Sequence, residues 1–527
     1  MNAASKLTDD QRLALQAALD RLYAVRPVWS NVLSAREAVA LEPMTLLHAG
    51  PPFANPCQPS APVLSSAVLC CLYEGWASNE SDAEAMIADG RVRLLPAQDY
   101  RIVTPLAAVI SPSTSLVEVR DAARLDSPGC WSLLGSGFGP QLRFGSRNPA
   151  ILQRLAWRDE QLGPVLRGLV SASPIALIPM AVAGLRGGDD LHSRTTFATA
   201  ALLDQLSPDL KAADVRAMFE TTPLFFLTLW MAACYLMLDA TRSDDPQQAT
   251  RLVLALAGNG IDAGVRLADA PEVWITGPAH LPQGPRMSPG DRPAGPMLGD
   301  SGVIDAAGFG AQAWRYTAEV ASDMRGWLPG APEEPPQWLV GTHPDFAEFG
   351  LGSAVDASRV SHLQPTPRVA IAMLDASGEQ GLLGRGVCLT EAALFGIAPV
   401  SAPLINDPRT LAGLNEAFAR YERALTGNDV SVLDELFWDS PHTLRYGAGE
   451  HLYGYASIQA FRRARPGKGL DRTILERSVT SFDDAYAVTN IVFGREGQTR
   501  LGRQTQSWVR IAGQWRIVAA HVSWMDL

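Results

Sequence analysis

Between Gly187 and Leu203 the chain reads GGDDLHSRTTFATAALL, which gathers the residue types that acid–base chemistry on an anion needs. Two glycines halt the preceding segment. Asp189 and Asp190 stand where a helix N-cap belongs, and the Ala/Leu run after them propagates a helix. On that helix Asp189, His192 and Thr196 fall about one turn apart on one face. Asp190 and Arg194 are spaced to pair. A helix start is electropositive, so a substrate anion docks there beside His192 and Arg194. The same spacing also fits a capped helix with a surface histidine and an ordinary ion pair.

Two other stretches carry candidate groups. His48 ends the apolar run TLLHAGPP, Thr45 to Pro52, where a strand meets a Gly-Pro-Pro turn. Asp300 and Ser301 lie in MLGDSGVIDAAGFG, Met297 to Gly310, a glycine-lined loop ahead of an Ala-rich helix. Such a loop offers backbone N–H groups to an anion.

The elements that must position these groups follow from periodicity. Asp9 to Val25 reads as an amphipathic helix, and Ala67 to Ala77 as a buried one. Val92–Leu95, Tyr100–Val103, Ala107–Ile110 and Ser115–Val119 read as short strands. From Asn148 to about Ala257 the pattern turns helical, which predicts a helical insert over about 148–257. The Asn-Gly pair at 259–260 predicts a hairpin. Pro-rich breaks at 281–296 and 329–336 precede a last α/β stretch ending near Phe395.

Composition narrows the function. With 527 residues, 47% of them hydrophobic, the chain has enough apolar residues to build more than one core. A net charge of −11 and the lack of a basic stripe exclude a nucleic-acid binder. The run Pro223 to Leu238 is the most apolar, and it reads as a core helix rather than a membrane span. Six scattered cysteines without a C-x-x-C pair read as reduced thiols in a cytoplasmic protein, with no zinc spacing. The acids early in the chain do not fit a signal peptide. Neither a metal site nor a cofactor is expected.

A linker over 396–404 leads to a second domain, 405–527. Asn406 or Asp407 caps a helix bearing Leu411, Leu414, Phe418, Tyr421 and Leu425. Helices after Asp429 and over Ser457–Arg465, a strand over His442–Gly447, and three long closing strands predict an α+β cone with an internal pocket. On the last strand Trp515, Ile517, Ala519, His521 and Ser523 alternate to one face, placing His521 inside.

TLLHAGPP, LYEGWA, LRFG, GDDLHSR, GNG and GDS occur in this order. Together they resemble the AllG/YlbE family, which accompanies FdrA-type proteins in allantoin breakdown. The resemblance covers roughly residues 20 to 395 within a first region of 1–395. It implies an α+β fold with a helical insert, and a subunit of oxamate carbamoyltransferase. That enzyme interconverts oxalurate plus phosphate with oxamate plus carbamoyl phosphate. Three departures stand out. Leu106, Ala107 and Ala108 replace an expected Met-Gly-Gly, Asp305 and Ala306 replace Glu-Thr, and a His-Lys pair is missing near 370–386. Losing glycine backbone and a basic pair weakens a site for anions.

The tail motifs RYERAL, FWDSP, TLRYG, HLYGY, FRRARP, GRQTQSWV and WRIVAAHVSWM resemble the AtzH/HpxZ family, of the SnoaL-like fold. Those proteins work on carboxylated ureas or beside amidases that cleave them. The resemblance makes Tyr421 and Arg445 the catalytic pair, with Arg445 holding a carboxylate in a two-pronged grip and Tyr421 serving the reacting amide. Arg465, Trp508 and His521 would line the pocket.

The leading expectation is therefore a fusion acting on ureido substrates, with phosphate as a possible co-substrate and FdrA-like or amidase partner subunits, in an oligomer without nucleic acid or membrane. One alternative is an amidohydrolase whose active site is in the tail alone. Another is a non-catalytic scaffold.

Overall fold

The computed structural model describes residues 8–124, 126–288, 290–327, 336–360, 366–396, 405–467 and 469–526. The chain divides into two compact units, Met1–Pro399 and Val400–Leu527. Both are α+β. All but Gly396 of the expected linker lies outside the described residues.

The first unit opens on the helix Asp9–Ala24, started by a reciprocal capping box between Thr8 and Gln11. One mixed sheet runs in the order Ile102–Val103, Cys130–Leu133, Ser115–Asp121, Pro27–Ser34, Ile175–Ala176. A second runs Ala270–Pro278, Asp262–Leu267, Val253–Asn259, Leu298–Gly299. The helix Phe226–Asp239 packs against strands of both sheets. It is apolar on every face because it is buried on every face. Trp230 anchors it, edge-on to Phe309 at 5.2 Å and to Phe346 at 6.0 Å. Among the described residues no helix is long and apolar enough to cross a membrane.

The expected helical insert ends early. Helices run from Ala150 to Asp239, but Val253–Asn259 is a strand, hydrogen-bonded to Asp262–Leu267 across the Asn259-Gly260 turn. Its VLALAGN run is buried throughout, and a short, wholly apolar run has no period to separate strand from helix. Ala107–Ile110 forms no strand either, contributing only a single bridge from Ile110 to Leu47.

Three glycine motifs meet at one place. Gly50 has φ +81°, and a Cβ there would lie 2.4 Å from the Gly258 carbonyl carbon. Gly258 pairs in register with Gly299, and Asn259 Nδ2 donates to Pro51 O at 3.0 Å. The AGPP, GNG and GDS motifs are therefore a backbone junction, where side chains would keep the loops apart.

In the second unit the helices Pro408–Thr426, Val430–Leu436 and Tyr455–Ala464 pack on a six-stranded sheet. Its order is His451–Tyr453, Leu444–Tyr446, Gln514–Met525, Leu501–Ile511, Tyr486–Gly494, Thr473–Phe482. Asp407 caps the first helix, its carboxylate accepting from Thr410 N at 2.9 Å, with Pro408 in the first turn. Pairing shifts between Ser507 and Trp508: Ser507 faces Ala519 whereas Trp508 faces Ile517, so Val518 is an extra residue. That bulge reverses the alternation beyond it. Trp515, Ile517 and Ala520 are buried, and His521 faces outward, contrary to the alternation expected from sequence.

Candidate functional site

The first unit holds a cavity of about 320 Å³. Its walls include Leu106, Phe144, Leu224 and Ile371; its polar lining includes Arg143, His192, Ser301 and Arg385. Among the described lining residues there is no Asp or Glu. The site thus carries charge of the opposite sign to the whole chain.

His192 reaches the cavity from a loop, not a helix. The helix begins only at Thr196, and Asp189 caps it from upstream, its Oδ2 accepting from Phe197 N at 2.8 Å and Ala198 N at 2.9 Å. Asp190 pins the intervening loop. Its Oδ1 accepts from the backbone N–H groups of His192 and Arg194, and its Oδ2 from Trp314 Nε1 at 2.8 Å. The two acids therefore do the local folding, and the expected one-face helical array is replaced by a tied loop. Arg194 does not join the cavity: it forms an ion pair with Glu319, its Nε 3.4 Å from Asp189.

The His192 Nδ1 lies 2.7 Å from Asp305 Oδ2. Asp305 is fully buried, and its Oδ1 accepts from Ala311 N at 2.8 Å and Ala370 N at 3.1 Å. Burial pushes the Asp305 carboxyl up, while the imidazole and the two backbone donors pull it back. An ionised carboxylate only accepts, so Nδ1 carries the imidazole proton and Nε2 has the lone pair. Among the described residues Nε2 has no hydrogen-bond partner. A histidine held this way by a buried acid can take or give one proton at Nε2.

Ser301 is 3% exposed, and its hydroxyl has no partner. It immediately precedes the short helix Gly302–Ala306, which packs against Val253–Asn259 and Phe226–Asp239. Asp300, its neighbour, is not a ligand group. Its Oδ1 accepts from Gly50 N and Gln98 Nε2, and its Oδ2 from Thr104 N. This carboxylate holds the glycine junction together. His48 is also outside the cavity: it is fully buried, Nδ1 sits 2.8 Å from Ala49 O, and the ring packs on Phe53 at 4.4 Å. Burial pushes its pKa down to about 4.

Two residues of the site escape the reading of sequence: Arg143, which lines the cavity, and Asp305, which stands behind His192. Arg143 is the arginine of LRFG, a stretch noted there only as a motif. Asp305 stands out in the sequence only as a departure from a family pattern, yet it lies one helical turn after Ser301, so both share a face. That spacing was the available signal.

In the second unit the Tyr421 hydroxyl is 3.5 Å from Gln504 Oε1, and its ring meets Trp508 edge-on at 6.4 Å. Trp508 is buried and donates from Nε1 to Thr489 Oγ1 at 3.0 Å. Arg445 is engaged: it forms an ion pair with Glu450 and lies over the Phe461 ring at 5.0 Å. Arg465 donates to Asn428 Oδ1 at 3.3 Å, and burial followed by the nearby Arg445 lowers its pKa. Of the residues expected to line a pocket here, His521 faces away.

Among the described residues no group of three His, Cys, Asp or Glu side chains could share a metal ion.

Two family profiles match the chain. One, described as oxamate carbamoyltransferase subunit AllG, covers residues 92–301, and so includes Arg143, His192 and Ser301. The other, described as AtzH-like, covers 403–527. The oxamate carbamoyltransferase subunit AllG of Escherichia coli K12 is 30% identical over 310 residues, spanning 56% of this chain and 73% of that protein. A second Escherichia coli K12 protein, uncharacterized YahG, is 28% identical over 417 residues, spanning 75% of this chain and 86% of its own. A conserved protein of unknown function from Enterococcus faecalis V583 shares the fold at a TM-score of 0.67 and 22% identity, over 74% of this chain and 96% of that one. The chain belongs to the AllG family and carries an AtzH-like domain at its C-terminal end.

Proposed function

We propose that the first unit is the transferase body of an oxamate carbamoyltransferase-like complex in oxalurate or allantoin catabolism. The observation that carries this reading is the His192–Asp305 pair beside a cavity with no Asp or Glu among its described lining residues. A phosphate oxygen attacks the ureido carbonyl carbon of an oxalurate-like substrate. The carbon–nitrogen bond breaks, protonated His192 gives its Nε2 proton to the departing nitrogen, and oxamate and carbamoyl phosphate result. In reverse, neutral Nε2 takes that proton from the amide as nitrogen attacks carbamoyl phosphate. Asp305 keeps the proton on Nδ1 throughout. The apolar walls keep bulk water from competing for the carbamoyl group.

The Escherichia coli relative is named as a subunit, which supports partner subunits here too, FdrA-like ones first. All six cysteines are unpaired, and five are buried. That usage suits a reducing cytoplasm. A second reading, hydrolysis of carboxylated ureas by the tail, is favoured by the Tyr421–Gln504 contact and by Arg465, whose described contacts include no ion pair with an acid.

The test is consumption of oxalurate by the full chain with its partner subunits, with and without inorganic phosphate. Transfer requires phosphate and yields carbamoyl phosphate. Loss of oxalurate at an equal rate without phosphate would replace transfer by hydrolysis in the tail.

A further inference from the structure

We propose that Arg143 and Ser301 form a carboxylate-holding end of the cavity, so that the ligand class is a small amide or ureide bearing one carboxylate. This rests on the transfer reading for the reaction, but not for the binding. Other enclosed arginines of the unit have partners: Arg266 donates to Gln98 Oε1 at 2.7 Å. Arg158 is paired with Asp159 at 2.7 Å, and Arg101 with Asp239 at 2.8 Å. Among the described residues Arg143 has no acid partner, and its Nε makes no hydrogen bond. Its guanidinium lies 5.0 Å from the Phe144 ring, which leaves the planar edge for a ligand. Desolvation alone pushes its pKa down, to about 10, as expected when no anion balances the charge. It still stays protonated at neutral pH.

The root of this side chain is fixed. The turn Leu142–Phe144 ends at Gly145, with φ +64°, and a Cβ there would meet Pro62 Cβ at 2.5 Å. Ala107 N donates to Arg143 O at 3.0 Å, and Ser66 Oγ donates to Leu142 O at 2.8 Å. Ser301 is equally fixed, because Asp300 beside it is tied to Gly50, Gln98 and Thr104. Its unpartnered buried hydroxyl is the complementary donor. A guanidinium fork matches a planar carboxylate with two parallel hydrogen bonds, and pre-positioned donors lose little freedom on binding.

The experiment is titration calorimetry of the full chain with three probes: oxamate, its neutral analogue oxamide, and inorganic phosphate. Wild type should bind oxamate and bind oxamide far more weakly. Arg143→Met should weaken oxamate by about 100-fold or more, and Arg143→Lys by about tenfold, because lysine keeps the charge and loses the fork. Ser301→Ala, a milder change that guards against misfolding of the arginine variants, should weaken it about five- to tenfold. Phosphate affinity should stay within about threefold in all variants, the spread expected of a contact not made. Unchanged oxamate binding in Arg143→Met, equal binding of oxamide, or a loss confined to phosphate would each overturn the assignment. Intact oxamate binding in a chain that shows no phosphate-dependent turnover would leave the anchor standing and remove the transfer reading instead.

Discussion

Replacing Asp305 by Asn probes the pair on which the chemistry depends. The substitution keeps size and one acceptor. The retained carbonyl can still accept from Ala311 N and Ala370 N, now 2.8 and 3.1 Å away. The new amide then stands where Oδ2 stood, 2.7 Å from His192 Nδ1, and it donates rather than accepts. Nδ1 must accept, so the single ring proton moves to Nε2: the base of the reverse reaction is lost, and in oxalurate cleavage the Nδ1–H of the acid form would face a donor instead of an acceptor. A positioned acid–base group contributes about 10²- to 10⁴-fold, or roughly 3–5 kcal/mol of barrier. Because Arg143 and Ser301 are untouched, KM for oxalurate should move less than about threefold while kcat falls by about two orders of magnitude or more. The assay is steady-state formation of carbamoyl phosphate from oxalurate and phosphate by the complex, with a thermal melt as folding control. A folded Asp305→Asn chain with kcat within threefold of wild type would refute the role assigned to the pair.

Other outcomes follow from the same geometry. Arg194→Ala should leave kcat within about threefold of wild type, because Arg194 pairs with Glu319 outside the cavity; a loss as large as that of His192→Ala, measured side by side, would return it to the site. His48 and His343 are each depressed to about 4 by burial. Between pH 6.5 and about 4 the unfolded chain takes up protons that the native one refuses, so this part of the stability is complete above 6.5, falls as pH drops through the window, and is level below it. Each contributes on the order of 3 kcal/mol over the window, and His48→Asn should reduce the pH slope of urea-melt stability there by about 1.4 kcal/mol per unit; an unchanged slope contradicts it. Residues 405–527 should melt cooperatively as an isolated fragment, since the second unit has its own core around Phe418, Ile458, Phe493 and Trp508; a calorimetric trace without a transition would show that this core depends on the rest of the chain.

The sequence made some of this site legible. His192 and Ser301 were marked by residue type beside glycines, and the family was marked by the order of short motifs. What misled was local: Asp189 and Asp190 suggested an N-cap one residue away, whereas Asp189 reaches forward over a loop to cap a helix at Thr196. Side-chain reach across a loop has no period, so no pattern reports it. Asp300 looked like a ligand because glycines surround it, and the glycines are there because backbones cross. His521 was placed by strict alternation, which one extra residue at Val518 inverts. Arg143 went unread because isolation from acids is a property of three dimensions, although its motif was visible.

The most direct measurement is a crystal structure of the full chain with oxamate. Oxamate should lie in the first-unit cavity, its carboxylate on Arg143 and Ser301 and its amide nitrogen within hydrogen-bond reach of His192 Nε2. Oxamate seated instead in the second unit beside Tyr421, or in the cavity with its nitrogen turned away from His192, would contradict that placement.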